Sequence, residues 1–368
     1  MVSFDRLTNS IFGTSAKSGG SMQPDAKYPM DNSTSENDQL QSTTRADLMD
    51  RVLAVTPGVF DVLALDIYRY QYRYNPLYRQ FCDLIGRVPD FISVAGQIPH
   101  LPIALFKSNS VQTGTFRPEA IFESSTTTGQ IPSRHLVGSL EFYNKVSELG
   151  FRSVIGKAVS EFMWYGLLPS YLDRPNASLV HMVRHFMSLG GGGFFLNDYD
   201  ELISQIRNTE NNRDIILIGV TFALLDLAEQ YTGKLPVSYI IETGGMKGRR
   251  QEVTRQVVHE TLGSAFGKSS IGSEYGMTEL LSQAWSTGNG LFECTPTLKV
   301  RARDLSDPLM NVDAGTRGAL NITDIANIDS CSFIATDDAG IVFEDGTFEV
   351  QGRLDGSEQR GCNLMFAG

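Results

Sequence analysis

Residues 121–135 read IFESSTTTGQIPSRH, where the consecutive hydroxyl side chains Ser124, Ser125, Thr126, Thr127 and Thr128 run into Gly129. Several O–H donors and backbone N–H groups in one turn suit the oxygens of a phosphate. Gly129 can take φ > 0 and let the backbone approach a ligand. The same composition also makes an ordinary solvated linker. A second stretch is Gly272-Ser273-Glu274-Tyr275-Gly276-Met277-Thr278-Glu279. Tyr275, between small residues, can present a flat face to a purine. Thr278 offers a hydroxyl to a phosphate, and Glu279 a carboxylate to Mg²⁺, a hard ion that prefers oxygen. The plainer reading is a strand–turn–helix junction with Thr278 and Glu279 in the first helical turn. A third stretch, Gly352-Arg353-Leu354-Asp355, precedes Cys362. A thiol beside Gly361 and two residues from Arg360 can be exposed and lowered in pKa. An inert cysteine in a frayed terminus fits the residues too.

Two other patterns carry no chemistry. Residues 263–269 (GSAFGKS) resemble a phosphate-binding GxxxxGK[ST] loop, but the glycines are one residue too close. His181 and His185 stand at i, i+4 with no HExxH and no third ligand, which reads as a packed helix face.

These stretches need elements to hold them. An apolar pair, Ile121 and Phe122, precedes the hydroxyl run, and LVGSLEFYNKVSEL follows it, giving strand, turn, helix. Residues 1–48 are rich in Ser, Thr, Asn, Gly and Asp and are expected to be flexible. Residues 59–86 show helical apolar spacing that Pro76 must break into two helices or a kink. The Tyr-Arg alternation there reads as a packed helix with a charged outer face rather than a nucleic-acid surface. Residues 98–106 (IPHLPIALF) are expected to be extended. Helices are expected at 138–150, 199–208, 223–230 and 251–262, and strands at 214–220, 237–242 and 269–273. Residues 178–189 are a mixed apolar run, and short strands dominate from residue 297 onward. The pattern is α/β with a β-rich end. In open α/β sheets, ligands sit beyond the carboxyl ends of strands. The turns at Ser124–Gly129, Thr243–Gly245, Gly272–Glu279 and Thr323–Asp324 therefore form one coherent set.

Composition narrows the partners. A net charge of −11 argues against nucleic acid and anionic membrane surfaces. An anionic ligand must then be met by a local nest or a metal ion. The cysteines Cys82, Cys294, Cys331 and Cys362 are scattered, with no CxxC pair, which speaks against a disulfide framework or zinc site. No run of about 18 apolar residues is present and the N-terminus lacks an apolar h-region, so a cytoplasmic location without a membrane span is expected.

Together the stretches resemble the adenylate-forming superfamily of acyl-CoA synthetases and adenylation domains. The hydroxyl loop resembles its [ST]SGTTGxPK motif, EYGMTE its YGxTE motif, and Gly352, Arg353 and Asp355 its GRxD hinge. Asp324 falls where the family's ribose-binding aspartate lies. A closer similarity, over about residues 55–368, is to the LuxE-like acyl-protein synthetases of bacterial luminescence, carried by GRLDGSEQRGCNLMF and PHLPIALFKS. The resemblance implies an adenylate-forming large domain over residues 49–351, with mixed sheets flanked by helices and a β-rich subdomain. Residues 352–368 would be a hinge and short tail in place of the long C-terminal lid. The chain departs from the pattern at Thr127, at Ser133-Arg134 in place of a lysine after Pro132, and at Gly356-Ser357-Glu358 after the hinge.

By that resemblance, a carboxylic acid of fatty type is activated with ATP and Mg²⁺ as an acyl-adenylate. Ser125, Thr126, Thr127, Thr128 and Gly129 would cradle the phosphates. Tyr275 would stack on the adenine beside Gly244 and Gly245, Asp324 would accept the ribose hydroxyls, and Glu274, Gly276 and Arg353 would serve the nucleotide. Thr278 would contact the α-phosphate, Glu279 would hold Mg²⁺, and Cys362 would take the acyl group as a thioester. An acyl-accepting partner of the acyl reductase type would collect it. Transfer to coenzyme A or a carrier protein, and a catalytically silent nucleotide-binding subunit, are the competing expectations.

Overall fold

In the computed structural model, which describes residues 32–124, 131–169, 176–209, 213–244 and 254–354, the chain first builds helices. Asn32–Leu53 forms α1, Phe60–Tyr74 α2 and Pro76–Leu84 α3. The break falls where Pro76 predicts it. Asn75 Oδ1 accepts from Tyr78 N at 3.0 Å, and Pro76 occupies the first helical position, where no donor is needed. The tyrosines of α2 face inward: Tyr68 and Tyr70 are buried.

The described part of the N-terminal segment departs from its expected flexibility. Residues of α1 ahead of position 49 are packed: Leu48 is buried, and Gln41 Nε2 donates to Tyr70 Oη at 3.3 Å. Polar side chains on α1 find partners across the fold rather than water. In the stretch expected to be extended, only Leu101–Pro102 is a strand (β1), and Leu105–Ser108 is a short helix, α4.

The element after the hydroxyl run also differs from expectation. Ala120–Glu123 (β2) and Arg134–Val137 (β3) pair antiparallel, so the run bridges a hairpin instead of leading straight into a helix. The helix Leu140–Ile155 (α5) starts later, where Ser139 Oγ accepts from Phe142 N at 3.2 Å, and ends at Gly156 with φ +80°.

The body then alternates strand and helix: Phe162–Leu167 (β4), Ser178–Gly190 (α6), Gly192–Phe195 (β5), Tyr199–Asn208 (α7), Asp214–Val220 (β6), Thr221–Gln230 (α8), Tyr239–Thr243 (β7), Arg255–Phe266 (α9) and Gly272–Tyr275 (β8). Ala284–Ser286 (β9) and Glu293–Cys294 (β10) complete a sheet of order β10-β9-β8-β7-β6-β4-β5, parallel from β8 to β5. The run DIILIGV suits β6, whose residues Ile215 to Val220 are all buried, as a central parallel strand requires. Phe151, Trp164, Phe186 and Trp285 pack as one aromatic cluster in the core, with ring centroids 4.9–5.5 Å apart for the closest pairs.

The β-rich end is a second sheet. Leu298–Arg303 (β11), Arg317–Asp324 (β12), Phe333–Val342 (β13) and Phe348–Arg353 (β14) pair antiparallel, and β1 joins β13 in parallel. Gly352 and Arg353 are still paired in β14, so the strand continues past the expected boundary at residue 351.

Both patterns dismissed above are structural. Residues 263–266 end α9, Gly267 caps it with φ +64°, and Lys268 Nζ donates to Val237 O. His181 and His185 hydrogen-bond Asn144 and Glu148 on α5. Among the described residues no cluster of three His, Cys, Asp or Glu could hold a metal, and no helix is long and apolar enough to cross a membrane.

Candidate active site at the junction of two sheets

The carboxyl end of β8 is where the two sheets meet. Tyr275 Oη donates to Asp338 Oδ2 on β13 at 2.8 Å, and Arg353 Nε on β14 lies 3.6 Å from Asp338 Oδ1. Beside them, Arg255 Nε donates to Glu242 Oε1 at 3.1 Å and Arg255 Nη1 to Val350 O at 3.3 Å. Phe292 and Phe348 exchange main-chain hydrogen bonds of 2.8 and 3.0 Å. These contacts place the Glu274–Glu279 stretch, Asp338 and Arg353 in one neighbourhood.

Ser124 and Ser133, which bracket the hydroxyl-rich loop, are held together, and Ser133 lies beside Glu279. Ser124 N donates to Ser133 O at 3.1 Å, and Ser133 N donates to Ser124 Oγ at 2.8 Å. Ser125, Thr126, Thr127, Thr128 and Gly129 lie outside the described residues, as do Gly245 and Cys362. The strand leaving the loop is tied to the second stretch: His135 Nδ1 is 2.7 Å from Thr278 O, and His135 Nε2 is 2.9 Å from Asn327 Oδ1. Asn327 Nδ2 donates to Glu279 O at 2.7 Å and to Cys331 O at 3.0 Å. His135 and Asn327 are buried and hold the main chain of Thr278 and Glu279 from behind. The sequence offered no signal for either, because their partners stand 143 and 192 positions away.

Asp324 requires a correction. It is fully buried, and its carboxylate accepts from Leu281 N, Ser282 N, Ser282 Oγ and Ala326 N at 2.6–3.1 Å. With its oxygens satisfied inside the protein, it has none to offer a ribose. It shapes the turn after the Glu279 stretch instead. The carboxylate that sits with Tyr275 and Arg353 is Asp338. Its signal was present in the sequence as Thr336-Asp337-Asp338, on the strand that pairs with the GRLD strand.

Tyr275 differs from the open platform expected for a purine. Its ring packs against Phe292 and Phe348, at centroid distances of 5.7 and 5.5 Å, and only 9 % of the residue is exposed. Gly276 is exposed beside it, and a Cβ there would overlap Glu274 Oε1. Gly244, at φ +73°, is exposed at the end of β7, and its carbonyl accepts from Thr221 Oγ1 at 2.7 Å. It opens on a cleft of about 1230 Å³ whose wall includes Arg255, His259, Glu260 and Lys268. Val258, Ile271 and Val350 line it as well, so the wall mixes charged and apolar side chains.

Burial sets the electrostatics. Glu274, with Thr243 Oγ1 donating to it, is pushed up to about 7 by desolvation, and nearby Glu242 adds to the rise. Glu279 is raised by burial, while the Ser133 hydroxyl and the charges of Arg353 and Lys107 pull the other way. Among the described residues no cation bridges Glu279 within salt-bridge distance. A buried carboxylate at the neck of the hydroxyl loop fits a divalent ion that takes its remaining ligands from substrate phosphates and water, which is how Mg²⁺ is commonly held.

A family model of acyl-protein synthetases, LuxE, matches residues 54–367. The long-chain-fatty-acid–luciferin-component ligase of Aliivibrio fischeri is 24 % identical over 340 residues, covering 83 % of this chain and 87 % of its own. Among solved structures, an open conformation of 2-hydroxyisobutyryl-CoA ligase is similar with a TM-score of 0.61 at 12 % identity, over 82 % of this chain and 72 % of that one. ATP-bound MatB from Rhodopseudomonas palustris is similar with a TM-score of 0.50 at 16 % identity, over 67 % of this chain and 49 % of that one. This chain thus spans about half the length of MatB, and likeness at these identities speaks for the fold alone. The match across most of the chain, with the α/β body and β-rich sheet described above, places the protein in the LuxE acyl-protein synthetase family.

Proposed function

We propose that this chain uses ATP and Mg²⁺ to activate a fatty acid and then carries the acyl group on its own Cys362. A carboxylate oxygen of the acid attacks the α-phosphorus of ATP, the bond to the β-phosphate oxygen breaks, and pyrophosphate leaves. The Cys362 thiolate then attacks the acyl carbon, and AMP departs as the thioester forms. The observation that carries the reading is the meeting of Tyr275, Glu279, Asp338 and Arg353 at one sheet junction beside the neck of the hydroxyl loop, in a chain of this family.

The roles follow from the surroundings. Ser125 to Gly129 cradle the phosphates, and Thr278 meets the α-phosphate. Glu279 holds the metal, which neutralises developing charge on the phosphates. Asp338, in place of Asp324, accepts from the ribose hydroxyls, with Arg353 next to it. Gly244, Gly245, Glu274 and Gly276 border the adenine, and Tyr275 does so by one edge. The other thiols are poor nucleophiles. Burial pushes Cys294 and Cys331 up to about 12 and raises Cys82 further still. A partner protein of acyl reductase type, in the same cytoplasmic compartment, collects the acyl group.

Labelled fatty acid with ATP tests the reading. The expected result is a hydroxylamine-sensitive label on the protein, absent in Cys362→Ser, with pyrophosphate release intact in that variant. Label on Cys82, Cys294 or Cys331, or acylation of coenzyme A with no protein label, overturns the Cys362 assignment. No pyrophosphate release with any fatty acid removes the activation itself.

A further inference from the structure

α1 reaches across the molecule to the back of this site. Arg45 donates through Nε to Asp329 Oδ1 at 2.5 Å and through Nη2 to Asp329 Oδ2 at 2.6 Å, a two-pronged pair that fixes orientation as well as distance. Asp329 lies in the turn 325–332, every residue of which is buried. Two positions earlier in that turn stands Asn327, which holds Glu279 O directly and Thr278 O through His135.

The turn is gripped from several directions. Gln71 Nε2 donates to Asn327 O at 2.9 Å and Gln71 Oε1 accepts from Ser332 N at 2.9 Å. Asn75 Nδ2 donates to Ser330 O at 3.0 Å, and Thr113 N donates to Asp329 O at 2.8 Å. The strand leaving the hydroxyl loop closes on the ion pair as well. A Cβ on Gly138 would overlap Asp329 Oδ2 and stand 3.0 Å from Arg45 Nη2. The fork is therefore a place where α1, the end of β3 and the Asn327 turn touch. Arg45 also lies ahead of residue 54, where the family match begins.

We propose that α1 is a built-in positioning element of the site: the Arg45–Asp329 fork sets the Asn327 turn, and through it the main chain of Thr278 and Glu279. Arg45 touches no substrate in this arrangement. Its effect on turnover rests on the function proposed above, whereas its effect on the order of the Thr278–Glu279 segment does not.

The test uses the full chain with Arg45→Gln, Asp329→Asn and the double variant. Hydrogen exchange in the absence of ligand should speed up at the amides of residues 277–282 while those of β4 and β6 stay at the parent rate. Pyrophosphate release should lose about tenfold in kcat, as small misplacements of catalytic groups do. KM for ATP should stay within about twofold. The double variant should lose no more than either single one, because the two side chains act as a pair. Gly138→Ala, which presses a methyl on the fork from the β3 side, should give the same local exchange pattern, and it serves if Arg45→Gln does not fold. Unchanged exchange at 277–282, or a uniform rise across β4 and β6 too, overturns the proposal. A parent chain that releases no pyrophosphate fails the function above, and the exchange pattern still decides the role of α1.

Discussion

Asp324 and Asp338 carry the same group in opposite surroundings, and substitution should separate them. Asp324→Ala leaves the buried donors Leu281 N, Ser282 N and Ala326 N without an acceptor. Each such loss costs about 1–3 kcal/mol, so the melting temperature should drop sharply while the folded fraction binds ATP as the parent does. Asp338→Asn keeps an acceptor for Tyr275 but removes the charge beside Arg353. ATP affinity, by titration of a fluorescent analogue, should fall by about 1–3 kcal/mol with little change in melting temperature. Glu274 makes a pH prediction. Its folded pKa, about 7, lies above the usual carboxyl value of about 4.3 in an unfolded chain. Its contribution to stability is thus whole below the unfolded value and is lost as pH rises through about 7. Glu274→Gln should hold its melting temperature between pH 5 and 8 better than the parent, by thermal scans across that range. Equal slopes for the two proteins would mean the carboxyl is not raised.

At the level of elements, Arg255 on α9 links the sheets. It neutralises buried Glu242, donates to Val350 on β14, and lies over Phe292 at 4.9 Å. Arg255→Ala takes one charged partner from Glu242 and leaves it His259 and the hydroxyls of Thr221 and Ser273, so the loss by urea denaturation should be about 1–3 kcal/mol. A loss below about 1 kcal/mol would make the pair a solvent-screened one. Such junctions explain what the sequence could and could not reveal. Local pattern sufficed for α7, β6 and the Pro76 break, because apolar period, caps and proline act within a few residues. It also singled out the Glu274–Glu279 stretch and Arg353, which the structure brings together around Asp338. It missed β3, whose four residues follow the hydroxyl run too closely to show a period. It chose Asp324 for the ribose contact because aspartates on two neighbouring strands look alike until their hydrogen bonds are counted. It read the packed part of α1 as flexible because Arg45 and Gln41 are polar, and only their distant partners make them structural.

For the whole molecule, ligand binding should register as stability. A nucleotide held between two sheets favours the state in which both are formed. At a hundredfold excess over Kd the gain is about 2.7 kcal/mol. ATP with Mg²⁺ should raise the melting temperature, a fatty acid should add to that rise, and EDTA should remove the metal-dependent part. Cys362→Ser should show the same shifts, and no shift with ATP in either protein would speak for a silent subunit. The pairing of β1 with β13 has a further consequence, one of time. Leu101 takes Ile334 as its neighbour, while Arg45, Gln71 and Asn75 bond to the turn 325–332. During synthesis the first hundred residues therefore wait for partners made near the end. At about 5–20 residues per second, that wait is roughly 10–50 s. Through it Tyr68 and Tyr78 have no Phe333 to cover them, so ribosome-bound chains stopped short of residue 335 should be cut by protease within α2 and α3, and the released 368-residue chain should resist.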